Sequence, residues 1–164
     1  MTGRGMVAHN IDFQTSAYAQ PDIAVRAANG ELVAVVEIKA GAALSLDIAR
    51  QLRSNLASHD LLPHSAYFLL TTQDGGFLWL PHPQPWLDAL PNLEFSMKPV
   101  IARYLHGADA ERWLWEGELV LIVADWLSDL NLGLGDPQLE PERSLAASGF
   151  LDLMRSADVV DATA

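Results

Sequence analysis

Asp22, Glu37 and Lys39 are the residues best placed to do chemistry, because one short hairpin would set two carboxylates side by side with an ammonium on the same face. Residues 21 to 27 and 32 to 40 read as strands around Asn29-Gly30, a pair that suits the positive φ values of a two-residue hairpin turn. With Asn29 and Gly30 as the loop, Ala28 faces Glu31, and the register counts back to Ile23 opposite Val36 and Asp22 opposite Glu37. Directly opposed side chains have Cβ atoms about 5 Å apart. Like charges at that distance repel, and a divalent cation bound between them would neutralise both. Side chains alternate along a strand, so Lys39 points to the same face as Glu37. A lysine closing the apolar run Leu32-Val33-Ala34-Val35-Val36 is costly to bury unless paired, and Glu37 is in reach. The competing reading is an ordinary salt-bridge cluster at a strand edge.

The string Pro21-Asp22, then fourteen residues, then Glu37-Ile38-Lys39 resembles the PD-(D/E)xK motif of the restriction-endonuclease-like nuclease superfamily. The surroundings agree with the letters, since the acid pair lies on a hairpin whose second strand leads into a helix and then an apolar strand. The resemblance covers about residues 11 to 80. It implies an α/β fold of the restriction-endonuclease-like kind, a mixed central sheet with flanking helices, here with a C-terminal helical extension. It also implies a metal-dependent phosphodiesterase, a DNA endonuclease or exonuclease. Asp22 and Glu37, with the backbone carbonyl of Ile38, would hold Mg²⁺, with Mn²⁺ as its substitute, and Lys39 would act on the attacking water and the phosphate. Gln51, on the helix after the second hairpin strand, corresponds to a glutamine that often supports the site in related nucleases; the alternative is a helix-surface amide. Arg26, on the same face as Asp22, would contact a phosphate or simply face solvent.

One departure from the family pattern stands out. Family members usually carry a helix before the first strand, often with a glutamate that completes the metal site, whereas residues 1 to 20 hold no glutamate and only Asp12 as an acid. Two functional classes therefore stay open. The first is a magnesium-dependent nuclease. The second is a catalytically inactive, nuclease-like protein acting as a binding or scaffold subunit through its acidic helical tail.

The elements that must position these residues follow from periodicity. Ile11–Tyr18 reads as a first strand. Gly41 breaks the second hairpin strand, and Ser45 can cap a helix over residues 46 to 59, with Asp47 in its first turn and Ile48, Leu52 and Leu56 as its apolar stripe. Residues 66 to 71 form a continuous apolar run, as expected for a strand buried on both faces. Asp74-Gly75-Gly76 turns the chain into a strand over residues 77 to 80, and Pro81, Pro83 and Pro85 make the next segment a loop. The remainder reads as helices over 97 to 105, 112 to 130 and 141 to 156. The middle one carries Trp113, Trp115, Leu119, Ile122, Val123, Trp126 and Leu130, which predicts a core helix or a homodimer interface.

Composition bounds the rest. The 164 residues, half of them hydrophobic, suffice for one domain. Residues 1–95 form the expected nuclease-like core, and 96–164 a helical extension packed on it or forming a dimer interface. The absence of cysteine excludes disulfides and thiolate metal sites. No apolar run is long enough for a membrane span, and a cytoplasmic location is the expectation. The net charge of −11 argues against a basic nucleic-acid-binding surface, but it is unevenly spread. Residues 1 to 106 carry nine acids against seven Lys or Arg, while residues 107 to 164 carry twelve acids against three Arg. That acidic tail is either a solvated helical face or a docking surface for a basic partner. The histidines show no metal spacing with a third ligand, and neither a Gly-x-Ser-x-Gly elbow nor a glycine-rich phosphate loop is present.

Overall fold

The computed structural model describes residues 21–41, 44–82, 89–105 and 111–162. The strand expected at Ile11–Tyr18 lies outside the described residues. Strands β1 (Ile23–Arg26) and β2 (Leu32–Ile38) pair antiparallel with Ile23 opposite Val36 and Val25 opposite Ala34, the register expected near the acids. The turn itself differs. Gly30 N–H donates to the Ala27 carbonyl and Ala27 N–H to the Glu31 carbonyl, both at 2.9 Å, so the loop holds three residues rather than two. Gly30 takes φ +86°, and the Asn29 side-chain oxygen accepts the Glu31 N–H at 2.9 Å. A three-residue loop alone would shift the register by one and turn Glu37 to the other face. The shift is absorbed where Arg26 pairs with Leu32 but Val25 with Ala34, leaving Val33 as a bulge residue.

Gly41, at φ +98°, leads the chain out of β2. Helix α1 (Leu46–Ser58) starts where Ser45 Oγ accepts the Ile48 N–H at 3.2 Å, and its buried residues Ala49, Leu52 and Leu56 pack on Val35, Phe68, Leu70 and Trp79. Strand β3 (Tyr67–Thr71) then lies parallel to β2, with Phe68, Leu69 and Leu70 fully buried, so the sheet is covered on both faces here. Strands β4 (Gly75–Trp79) and β5 (Leu93–Ser96) continue antiparallel beyond β3.

Helices α2 (Lys98–Leu105), α3 (Glu116–Asn131), α4 (Glu142–Ala147) and α5 (Phe150–Ser156) cover the opposite face, packing on Ile23, Val25, Val36, Ile38, Leu69 and Leu78. The chain then returns as β6 (Val159–Ala162), antiparallel to β1, which completes a six-stranded mixed sheet in the order β5-β4-β3-β2-β1-β6. The fold is α/β, with several of its helices in the C-terminal half. Among the described residues no helix is long and apolar enough to cross a membrane.

Three sequence expectations need correction. Residues 93 to 96 and 159 to 162 are edge strands of only four residues each, too short to stand out. Helix α3 begins at Glu116 rather than Arg112, and its buried Leu119, Ile122, Val123, Trp126, Leu127 and Leu130 all pack within this one chain. The span 141 to 156 is two helices because Gly149 sits at φ +87° between them. A Cβ there would also lie 2.9 Å from the Tyr67 hydroxyl oxygen. Gly149→Ala is therefore expected to cost about 1–2 kcal/mol from the left-handed backbone alone, with more from displacing Tyr67, read as a lower midpoint in urea unfolding. A midpoint equal to that of the wild type would show that the α4–α5 corner tolerates a side chain.

Candidate functional site

Asp22 immediately precedes β1, and Glu37 and Lys39 lie at the end of β2 and just beyond it. All three project to the α1 side of the sheet, because β2 alternates and Val35 packs under α1. The two acids are joined reciprocally through the backbone. The Ile38 N–H donates to Asp22 Oδ2 at 2.8 Å, and the Asp22 N–H donates to Glu37 Oε2 at 3.2 Å. These bonds extend the hairpin ladder by side chain where the backbone pairing stops. Lys39 Nζ lies 3.9 Å from Glu37 Oε1, and the Lys39 N–H donates to the Thr71 carbonyl at 2.9 Å, fixing the lysine against β3.

Glu37 is only 5% exposed. Burial is the main reason its carboxyl is pushed up to about 7, with the Asp22 charge adding to the shift. Lys39 and the Asp22 N–H pull the other way, and the charge of Glu116 pushes it further up. Burial also raises Asp22, opposed by the Ile38 N–H and by Lys39. Lys39 thus only partly offsets the cost of a buried Glu37 carboxylate beside a half-buried Asp22. A divalent cation would supply the missing charge, and two hard oxygen donors suit magnesium, which takes one or two carboxylates and keeps several waters.

Among the described residues no group of three or more His, Asp or Glu side chains is arranged to hold a metal ion. A cation here would therefore depend on Asp22, Glu37, backbone oxygen and water. The nearest approach to an additional acid is Glu116, at the first position of α3, whose charge reaches Glu37. Sequence reasoning missed it because it comes from a helix that is 79 residues downstream of Glu37.

The other two candidates are placed elsewhere. Arg26 is exposed and donates from Nη1 to the Gly30 carbonyl at 3.1 Å, so it braces the hairpin turn. Four residues of extended strand put it about 13 Å from Asp22. Gln51 is exposed on α1, and no described hydrogen bond joins it to Glu37 or Lys39.

A third element borders the site. Gln73, buried just beyond β3, donates from Nε2 to the Arg112 carbonyl and accepts the Leu114 N–H at Oε1, 2.9 Å away. Glu118 pairs with the Arg112 guanidinium and accepts the Trp115 N–H at 3.2 Å. Residues 111 to 115 are thereby held as a fixed loop at the end of the sheet where Thr71 holds Lys39. Trp113 and Trp115, expected in a buried helix, are instead 62% and 67% exposed on this loop, while Leu114 between them is buried. Extended backbone at Trp115, φ −80° and ψ 164°, delays the start of α3 and turns alternate side chains outward. The sequence carried no signal for this, since Trp113-Leu114-Trp115 is uniformly apolar and the exposure of its two rings is set by Gln73 from outside the segment.

Comparison of the chain with protein-family models, with curated proteins and with solved structures finds no match.

Proposed function

We propose that this protein is a metal-dependent phosphodiesterase of the PD-(D/E)xK type acting on nucleic acid, with Asp22 and Glu37, together with the Ile38 carbonyl, as its magnesium ligands. The observation that carries this reading is the buried Glu37 carboxyl, raised by its burial and by the half-buried Asp22 next to it, with Lys39 beside it. The order of hairpin, helix and parallel strand around that pair agrees with the core of the restriction-endonuclease-like fold. Bound magnesium would polarise the phosphoryl oxygen and acidify a water. Asp22 and Glu37 hold their carboxylates in place through backbone hydrogen bonds, so little rearrangement is needed to receive a cation. Lys39, held between Glu37 and β3, hydrogen-bonds the attacking water and offsets the negative charge that builds on the phosphoryl oxygens. The attacking water would release one proton to solvent as its oxygen adds to phosphorus, one phosphorus–oxygen ester bond would break, and the departing oxygen would take up a proton from solvent.

Calorimetric titration of Mn²⁺ into the wild type, Asp22→Asn and Glu37→Gln tests the site without a guess at the substrate. Saturable binding in the wild type, lost in both variants, is the expected result. Equal heats in all three would reduce the pair to a hairpin-end hydrogen-bond device. Lys39→Ala is expected to lower the rate of phosphodiester cleavage in Mg²⁺ or Mn²⁺ by about 100-fold or more, the usual effect of removing one charged or hydrogen-bonding group from a developing oxyanion. Cleavage that persists undiminished in Lys39→Ala and Glu37→Ala would identify a contaminating nuclease.

The second reading, a nuclease-like binding subunit without catalysis, draws on the lack of a third metal-binding side chain among the described residues. It requires that Mn²⁺ binding be absent and that the acidic C-terminal half engage a basic partner.

A further inference from the structure

The loop at residues 111 to 115 exposes two indoles beside the candidate site, an arrangement with a cost and no internal return. A side chain as large as tryptophan is ordinarily buried in part, and two of them standing out of a fixed loop mark a surface that receives something apolar. Neither ring is there for want of order. The loop is tied to the sheet by Gln73 and to α3 by Glu118, and the Trp115 ring rests so closely on Gly117 that a Cβ there would overlap it. Trp113 forms one wall of a cleft of about 80 Å³ that Gln73, Asp74, Glu111 and Lys98 also line, so a flat apolar face stands next to two carboxylates, an amide and one cationic donor. Gln73 lies between this cleft and the strand end that holds Lys39.

Resting on the reading of Asp22, Glu37 and Lys39 as a phosphodiester-cleaving site, we propose that Trp113 and Trp115 stack unpaired bases, making single-stranded or locally unpaired nucleic acid the preferred substrate. The loop stands at the sheet end that also holds Lys39, tied there through Gln73 just beyond Thr71, and the parts of a nucleotide that suit an indole face are the bases. In a duplex those faces are already stacked on their neighbours, and a protein meets only base edges and phosphates. In an unpaired strand they are open, and an aromatic ring can take them without regard to sequence. The acidic charge around the loop opposes phosphate binding, so affinity for this substrate class has to come from the bases. Glu111 and Glu116 flank the loop, and the chain carries a net charge of −11, so phosphate neutralisation supplies little affinity and stacking must supply most of it.

The test is equilibrium binding of a fluorescently labelled oligothymidylate of about twenty nucleotides, long enough for one site, to the whole chain in EDTA. Anisotropy and intrinsic tryptophan fluorescence are read together. The expected result is saturable binding with quenching, weakened about 5- to 100-fold by Trp113→Ala and by Trp115→Ala and largely restored by Trp113→Phe and Trp115→Phe. A duplex of matched length is expected to bind at least about 10-fold more weakly, and the slope of log affinity against log salt to stay below about 2 in magnitude. Thermal melts and sedimentation accompany each variant. Unaltered oligothymidylate affinity in folded alanine variants overturns the proposal, as does equal affinity for the duplex. A wild-type dimer that both alanine variants convert to monomer would assign the indoles to a protein interface and overturn it too. Because the binding assay needs neither metal nor turnover, base stacking without cleavage would remove the nuclease reading and leave this one standing, and cleavage that ignores the tryptophans would do the reverse.

Discussion

Glu37→Gln is expected to make the metal-free protein more stable at pH 8 while abolishing its response to divalent cations. The Glu37 carboxyl is raised from 4.5 to about 7 in the folded chain, chiefly by burial and then by Asp22. Between those two values the native state holds a proton that the unfolded chain has released. Stability therefore falls as pH rises from about 4.5 through about 7, and the full cost, about 3 kcal/mol, is present above that window. Glutamine carries no such charge, and its amide oxygen can still accept the Asp22 N–H. For a chain of this length the variant's melting temperature should exceed the wild type's by about 5–10 °C at pH 8 and match it near pH 4.5. Adding Mg²⁺ at pH 8 should raise the wild type by about 2.7 kcal/mol at a hundredfold excess over its dissociation constant and leave Glu37→Gln unmoved. A strand-edge salt bridge predicts the opposite sign, since removing one partner of a favourable pair destabilises at neutral pH. A wild type whose melting temperature is flat between pH 5 and 8 would dispose of the buried-charge argument altogether.

The part of the site legible in the sequence is the part written within one hairpin. Asp22, Glu37 and Lys39 were found because two-residue alternation and a strong turn signal convert sequence spacing directly into geometry. The agreement is less simple than it looks, since the loop is one residue longer than expected and the bulge at Val33 compensates. Had only one of these occurred, the acids would face opposite sides. Buried strand β3 and the cap of α1 were legible for the same reason, being local patterns. What escaped depends on distant chain segments. Gln73 meets Arg112 and Leu114 across about forty residues, Glu116 reaches Glu37 only through the tertiary packing of α3, and β6 joins the sheet after a long helical excursion. Trp113 and Trp115 read as core or dimer interface because the run Trp113-Leu114-Trp115 is uniformly apolar, and Gln73 exposes its two rings from outside the segment.

Removing the Arg103 side chain is expected to destabilise the protein more than any change at the candidate site. Glu142 is completely buried at the start of α4, and its carboxylate accepts a bidentate pair from Arg103 at 2.9 and 3.0 Å on α2 and the Trp126 indole N–H at 2.9 Å on α3. Three helices thus meet on one carboxylate. Arg103→Ala leaves that carboxylate in the core with a single neutral donor, a situation that costs about 3–5 kcal/mol, toward the lower end here because Arg103 is itself about a third exposed. Glu142→Ala removes the buried charge as well as the contacts and leaves an arginine that can turn to water, so it should cost less than Arg103→Ala. The double variant should then cost clearly less than the sum of the two, with a coupling above about 1.5 kcal/mol in urea unfolding. Additive effects would mean that the three helices are held by apolar packing and that the ion pair adds nothing of its own. The cluster also has a bearing on the site. It anchors α3, whose first residue is Glu116 and whose Glu118 holds the tryptophan loop, and no described hydrogen bond joins it to Asp22 or Glu37. Arg103→Ala at a temperature where it remains folded should therefore bind Mn²⁺ as the wild type does, and any loss should fall on the engagement of oligonucleotide by Trp113 and Trp115.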